Sequence, residues 1–123
     1  MISKLASLKT EIKGHHFYKY DYTVNEQISC GMDENNAHSK NAISVNSKMN
    51  GSKIGHLPEG LSKKLFPLMK DGLVSEVEGM ITSDAKASIK GTWNRGGGVV
   101  LPCKINIHGP KSKKLTVIKK LKE

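Results

Sequence analysis

Histidine and cysteine are the residues of this 123-residue chain that most readily bind metals or act as nucleophiles. The chain has five histidines and two cysteines, Cys30 and Cys103. They show no H-E-x-x-H, C-x-x-C or comparable ligand spacing, and no histidine adjoins either cysteine. We therefore predict no metal site and no cofactor, and we expect both thiols to be reduced, buried apolar residues.

Other catalytic patterns are also missing from the sequence. Gly96–Gly98 leads into an apolar stretch and lacks the lysine and hydroxyl residue that end a phosphate-binding P-loop. Asp33 and Glu34 are adjacent, and neighbouring side chains of an extended loop usually point apart, so we expect them to be solvated turn residues. There is no G-x-S-x-G nucleophile motif. We predict that the chain is not an enzyme.

The segment from Phe17 to Tyr22, FYKYDY, combines aromatic rings with a cation. Aromatic side chains stack on nucleic-acid bases, and lysines contact phosphates. Phe17 is expected to face the core, whereas Lys19, Tyr20 and Tyr22 are candidate contacts. Trp93 is a further candidate, because it lies in a polar, glycine-rich stretch that we expect to form a hairpin tip able to close over a ligand.

The chain carries a formal net charge of +9. A surplus of this size attracts polyanions, of which nucleic acid is the commonest. The surplus is concentrated in residues 111–123, which contain six lysines and one glutamate. Two interpretations of this segment remain open: a surface that follows phosphates, or a solvated and partly frayed chain end.

Short apolar runs between turn-forming residues predict the β-structure. Their imperfect alternation is typical of half-buried strands, which we predict over Val24–Cys30, Ala42–Val45, Leu73–Ile81 and Val99–Ile107. Asn50-Gly51 predicts a tight hairpin turn with positive φ at both residues. That turn would join the second of these strands to another around residues 53–55.

Helical spacing occurs in one long segment and near both chain ends. Pro58 can open a helix, and apolar residues between Leu61 and Met69 recur on one helical face, so a helix is predicted over 58–70 with a kink at Pro67. Spacings of three or four also predict short helices at Leu115, Ile118 and Leu121 and, more weakly, at Ile2, Leu5 and Leu8. We predict one domain over residues 1–123, mainly β with two helices (α+β), that forms a small barrel and ends in a basic tail or helix over 110–123.

Three segments then occur in a specific order: DENNAHSKNAISV at 33–45, KIGHLP at 53–58 and LFPLMKDG at 65–72. Together, and with these separations, they resemble the HIRAN domain that accompanies some DNA-repair helicases and ATPases. The resemblance extends over a core of about residues 14–109. It rests on N-A-I-x-V, I-G-H-L-P and L-x-P-L-M.

The resemblance implies an OB-like β-barrel with two helices that holds the 3′ end of single-stranded DNA. It implies a binding module, because helicase or ATPase activity resides in other domains, and this chain has no Walker lysine. Relatives place a tyrosine and an aspartate just before K-N-A-I, where this chain has His38 and Ser39, followed by Lys40. His56 matches a position where relatives place histidine or tyrosine near the nucleic acid, although a packed structural histidine is an equal alternative.

We therefore predict a non-catalytic module that binds single-stranded DNA or DNA 3′ ends in DNA repair or at replication forks. A helicase or ATPase is a possible protein partner, and the expected location is nuclear or otherwise intracellular. No apolar run of about 18 residues occurs, so no membrane partner is expected. The alternative is a protein-interaction domain on the HIRAN scaffold that has lost 3′-end recognition, as His38 and Ser39 would allow.

Overall fold

The computed structural model of the chain describes residues 2–14, 20–36, 40–87 and 99–123. Its strands are β1 (Ile2–Ile12), β2 (Gln27–Met32), β3 (Ile43–Ser47), β4 (Lys53–His56), β5 (Glu76–Ile81), β6 (Lys86–Ala87) and β7 (Val99–Pro110). Its helices are α1 (Glu59–Lys70) and α2 (Lys114–Lys122), the second preceded by a 3₁₀ turn at Lys111–Lys113. Within the described residues, the predicted mainly β class with two helices is confirmed.

The strands form an antiparallel sheet in the order β1-β7-β5-β2-β3-β4, and β6 pairs with β7. The sheet curls until its two edge strands meet at one residue pair, where Lys13 and His56 exchange backbone hydrogen bonds of 2.8 and 2.9 Å. β4 has four residues and ends at His56, so only this end reaches the end of β1. The described strands therefore form a strongly curved sheet, as in the predicted OB-like barrel, but the sheet is not closed.

The amino-terminal segment is a strand, so the weak helical prediction around Ile2, Leu5 and Leu8 is wrong. β1 pairs with β7 over ten residue pairs. A β-bulge between Lys4 and Ala6 shifts the register. Because the bulge inserts one residue, Leu5 and Leu8 both pack on the core side although they are three residues apart. The helix-like spacing therefore arises from a bulged strand.

The hairpin between β3 and β4 is longer than Asn50-Gly51 predicts. Gly51 has a φ of 76°, but Asn50 does not have positive φ. The backbone N–H groups of Ser47 and Gly51 donate to Ser52 and Ser47, respectively, at 2.9 Å each. The side chain of Asn50 accepts a hydrogen bond from the Ser52 N–H at 2.9 Å, which stabilises the longer turn instead of a two-residue one.

Two other strands begin later than predicted because turns occupy their first residues. Val24 and Asn25 form a turn in which Asn25 has a φ of 74°, so β2 begins at Gln27. Gly72, with a φ of 80°, ends α1. The N–H of Val74 then donates to Leu68 at 3.0 Å, so β5 begins only at Glu76.

Both helices cover apolar parts of the sheet. α1 begins after Pro58, as predicted, and continues through Pro67. Its buried face carries Ser62, Leu65, Phe66 and Leu68. α2 buries Val117 completely, while Ile118 and Leu121 lie beside Leu5 and Leu8 of β1. The basic carboxyl-terminal segment is thus a helix anchored by apolar contacts, which agrees with its leucine spacing.

The sheet has a polar outer face, opposite the side that packs on the core. From Cys103 to Gly109 of β7 and along β5, the core-side positions are buried, whereas the alternate positions are polar or exposed. One row of residues crosses five strands of this face in register, and we call it the outer-face row: Asn46, Ser29, Glu78, Asn106 and Ser7. Lys53 of β4 pairs with Asn46 and extends the row to the sheet edge.

Candidate nucleic-acid interface

Of the eight predicted contact residues, the structure describes four: Tyr20, Tyr22, Lys40 and His56. Lys19, His38, Ser39 and Trp93 lie outside the described residues. His56 is the best positioned of the four, because it ends the edge strand β4 and its backbone pairs with Lys13. Its side chain is half-buried rather than fully packed into the core.

The His56 side chain belongs to a charged cluster at this edge, which we call the Asp33 cluster: Asp33, Asn36, Lys53 and His56. Lys53 Nζ lies 3.1 Å and His56 Nε2 lies 3.0 Å from the same Asp33 oxygen, Oδ2. A carboxylate only accepts hydrogen bonds, so His56 Nε2 is the donor. Asn36 Nδ2 lies 3.4 Å from His56 Nε2. One acceptor therefore orients an imidazole and an ammonium group together.

Asp33 remains negatively charged in this cluster. Hydrogen bonds from His56 and then Lys53 lower the pKa of the Asp33 carboxyl below its ordinary value of 3.8, and partial burial opposes them less strongly. The side chain of Lys53 is about one-third exposed, so it remains partly accessible to solvent. The edge thus presents a fixed cation and a fixed imidazole to an incoming ligand.

The loop after β2 is closed at its base. The N–H of Asp33 donates to the carbonyl of Ala42 at 2.9 Å, and the N–H of Asn36 donates to Asp33 at 3.3 Å. Lys40 is exposed near the end of this loop. The predicted residues His38 and Ser39 lie in sequence between Asn36 and Lys40, the described residues that flank them.

Tyr20 and Tyr22 make hydrogen bonds within the fold. Both are half-buried, and both pack against the core. The Tyr20 hydroxyl donates to Glu26 at 2.5 Å, and the Tyr22 hydroxyl accepts a hydrogen bond from the Ala85 N–H at 3.0 Å. Each ring is therefore held in place, and its polar end is used by the fold. A role of either ring in stacking on a base stays a prediction.

Asp33, Asn36 and Lys53 were not among the predicted contacts. Asp33 was expected to be a solvated turn residue, but its side chain is 17% exposed and bonded to two cations or potential cations. Asp33 and Lys53 are 20 positions apart and meet only through strand pairing. The sequence offered one signal for this contact. Asp33 and Lys53 have opposite charges and lie on consecutive predicted hairpins.

The described residues offer groups for binding rather than a metal centre. No group of three or more histidine, cysteine, aspartate or glutamate side chains in the described ranges could hold a metal ion. Cys30 and Cys103 are unpaired and buried, as predicted. Burial raises the pKa of each thiol to about 12, so neither is a ready nucleophile at neutral pH. None of the described helices is long and apolar enough to cross a membrane.

Comparison with solved structures identifies close structural counterparts. The crystal structure of the HIRAN domain of human HLTF matches with a TM-score of 0.78 and 26% identity, over 98% of this chain and 90% of that one. The NMR structure of the HLTF HIRAN domain in its DNA-bound conformation matches with a TM-score of 0.72 and 26% identity, covering 98% and 89%. These matches support the predicted OB-like fold, with the sheet left open.

A structure from Lactobacillus plantarum has the same fold at 14% identity, with a TM-score of 0.61 over 89% of this chain and 100% of that one. Among curated proteins, no sequence match was found. The family model of the HIRAN domain matches residues 5–104, which include the Asp33 cluster and the segments that carry the sequence resemblance. The chain belongs to the HIRAN domain family.

Proposed function

We propose that this HIRAN domain binds single-stranded DNA, including DNA 3′ ends, at the sheet edge formed by the Asp33 cluster and Lys40. The observation that carries the proposal is the match to the HLTF HIRAN domain in its DNA-bound conformation over nearly the whole chain. The HIRAN domain is a binding module, so the proposed role is non-catalytic. A DNA-repair or replication-fork context, a helicase or ATPase partner and a nuclear or otherwise intracellular location belong to the same proposal.

The chemistry of the edge supports this proposal. Lys53 and the exposed Lys40 supply cations for phosphate oxygens, and the His56 ring supplies a flat face and ring nitrogens for a base or sugar. Hydrogen bonds within the Asp33 cluster limit the rotation of Lys53 and His56 before a ligand arrives. Less conformational entropy is then lost on binding. Lys19, His38, Ser39 and Trp93 remain proposed contacts on the strength of the sequence alone.

The second candidate function is a protein-interaction domain on the same scaffold. The specific observation in its favour is the His38-Ser39 pair, which replaces the tyrosine and aspartate of relatives. Serine can share a hydrogen bond with a 3′ hydroxyl, but the charge-assisted acceptance of a carboxylate is lost. General strand binding would survive this change more readily than recognition of the end.

Fluorescence anisotropy with a labelled ten-nucleotide DNA strand tests the proposal. We expect this strand to bind more tightly than a blunt duplex, with affinity that falls steeply between two salt concentrations because phosphate contacts release counterions. Tighter binding of a free 3′ hydroxyl than of a 3′ phosphate would add end capture. Equal affinity for the duplex, or no binding of the strand, would reject the proposal, and salt-insensitive binding of a protein would favour the second candidate.

Two histidines of similar exposure provide a matched pair of variants. His56 and His108 are both about one-fifth exposed, and each places Nε2 near a carboxylate, on Asp33 and Glu78 respectively. We expect His56→Ala to weaken binding of a three-nucleotide strand about tenfold, as loss of one stacked base contact does. His108→Ala should leave that affinity within about twofold. Equal losses of affinity in both variants would show that the binding site does not lie at this edge.

A further inference from the structure

A shallow groove lies on the outer face of the sheet, away from the Asp33 cluster. It has a volume of about 420 Å³ and is lined by Gln27, Lys48, Glu78, Met80, Lys104 and Asn106. Gln27 pairs with Met80, and Met80 pairs with Lys104, so these three side chains cross β2, β5 and β7 in one line. At Gly79, β5 and β7 approach so closely that a side chain there would overlap the carbonyl oxygen of Lys104. A residue larger than glycine therefore does not fit at position 79.

The side chains of the groove match the parts of a nucleotide. Met80 is 38% exposed and offers an apolar, polarisable surface to a base. Gln27 and Asn106 carry amide groups that can pair with base edges. Lys48 and Lys104 carry ammonium groups that can contact the phosphates on either side. An apolar surface flanked by cations suits a nucleotide within a strand better than an isolated anion.

An unfavourable charge pair beside the groove supports an anionic ligand. Lys104 lies directly opposite Lys9 of β1, and both are exposed. Like charges in directly opposite positions destabilise an antiparallel pair. Within the described ranges, neither lysine forms an ion pair with a carboxylate. A bound phosphate would relieve the repulsion between them, and a local arrangement that opposes folding is typical of functional sites.

Among the described residues, Glu78 is the one carboxylate that lines this groove, and it is compatible with a bound base. Its Oε2 lies 2.7 Å from His108 Nε2, and its side chain also accepts a hydrogen bond from Asn106. A carboxylate has about four acceptor positions, so some remain. These can accept a hydrogen bond from an exocyclic amino group, as glutamate does from cytosine.

The groove is continuous with the proposed site through the outer-face row. From Lys53 the row crosses Asn46 and Ser29 to reach Glu78, which is three strand spacings away. At about 4.8 Å per spacing this distance is roughly 14 Å. A stacked strand that keeps the axial rise of duplex DNA, about 3.4 Å per nucleotide, would cover it in about four nucleotides. The polar row offers no apolar barrier to a sugar-phosphate backbone along this route.

We propose that this groove is a second nucleotide-binding subsite, which holds an internal nucleotide of a DNA strand whose end lies at the Asp33 cluster. The inference rests on the proposed function for the position of the strand end. It adds a direction for the strand, across the outer face from β4 towards β1. It also adds Met80 and Lys104 as contacts with the base and the phosphate.

The test compares three-nucleotide and ten-nucleotide DNA strands that share the same 3′ sequence. We expect Met80→Ala combined with Lys104→Gln to weaken binding of the long strand about tenfold and binding of the short strand less than twofold. The matched control is Leu115→Ala combined with Lys70→Gln, which changes an exposed apolar residue and an exposed lysine elsewhere. The control should bind both strands as the unchanged protein does.

The outcomes separate this inference from the proposed function. If the groove variant binds the long strand as tightly as the control, the subsite is wrong and the end site stands. If His56→Ala leaves both strands unaffected while the groove variant weakens the long strand, the end site is wrong and the groove is a strand-binding surface by itself. If the unchanged protein binds neither strand, both are overturned.

Discussion

Glu26 and Asp33 are two carboxylates that each accept several hydrogen bonds, yet their donors differ in kind. Glu26 is 7% exposed and accepts from the hydroxyls of Ser47 and Tyr20 and from the N–H of Thr23. Asp33 is more exposed and accepts from Lys53 and His56. The donors to Glu26 are neutral and are used up inside the fold, whereas those to Asp33 carry or can carry positive charge at the surface.

This difference separates a structural carboxylate from one that would organise the proposed binding site. Neutral donors around a buried charge stabilise the fold and leave nothing to attract a ligand. Donors that carry or can carry positive charge, placed around a partly exposed carboxylate, keep an electrostatic field towards solvent and also hold a defined geometry. The Glu26 cluster should therefore govern stability, and the Asp33 cluster should govern binding.

The largest expected effect is on stability, at Glu26. We expect Glu26→Gln to lower the free energy of unfolding by about 2–3 kcal/mol, because the amide replaces one acceptor oxygen with a donor and leaves a buried partner unsatisfied. Urea denaturation measures this loss. Glu34→Gln, at an exposed position in the turn after Asp33, is the control and should change stability by less than about 0.5 kcal/mol. A Glu26 variant as stable as the control would contradict the structural role.

Acid should destabilise the protein through the same groups. Burial opposes ionisation of Glu26 and Glu78, but hydrogen bonds outweigh it, so the pKa values of Glu26, Glu78 and Asp33 are all lowered from their ordinary values of 4.5 and 3.8. The unfolded chain therefore binds protons first as pH falls. The stability from these groups is fully present above about pH 5 and is lost as pH falls through the lowered values.

Thermal denaturation between pH 7 and pH 3 checks this sign. Near neutral pH these carboxyl groups should not change the melting temperature. At pH values under about 4.5 the melting temperature should decrease. The fall should be shallower in Glu26→Gln, because that variant has already lost one of the three groups. A melting temperature that rises on acidification would show that the carboxyl groups are not stabilised in the folded state.

At Asp33 a smaller effect is expected, and it concerns DNA binding more than stability. Asp33→Asn should lower affinity for a short DNA strand about fivefold, because Lys53 and His56 lose their common charged acceptor and become less ordered. Its free energy of unfolding should change by less than about 1 kcal/mol, as is usual for ion pairs near the surface. The Glu34→Gln variant again serves as the control. A large loss of stability without a loss of binding would reverse the comparison of the two clusters.

The smallest effect is expected at Lys9 and Lys104, two lysines that lie opposite each other and form no ion pair with a carboxylate in the described part of the chain. Lys9→Gln removes the repulsion between Lys9 and Lys104 and should raise the free energy of unfolding by about 0.2–1 kcal/mol. The same change should weaken binding of a ten-nucleotide strand modestly and reduce its salt dependence. Lys70→Gln is the control for the loss of one positive charge. A Lys9 variant that is less stable than the control would contradict the repulsion.

Local patterns in the sequence determined much of the secondary structure. Pro58 and the spacing of Leu61, Leu65 and Leu68 predicted α1 nearly to its observed limits, because helix initiation and one-sided burial depend on neighbours within a few positions. The ordered motifs N-A-I-x-V, I-G-H-L-P and L-x-P-L-M indicated the family. They also made His56 a candidate contact, which stays a prediction. The excess of lysine predicted a polyanion partner.

Only the tertiary structure decided which distant residues meet. β1 is a strand because it pairs with β7, about 100 positions away, and a bulge hides the strand pattern in its sequence. Asp33, Lys53 and His56 form one cluster because β2, β3 and β4 are neighbours in the sheet. Lys9 and Lys104 face each other for the same reason. The pairing energy of strands depends on register and packing across the whole sheet, which no local window of sequence contains.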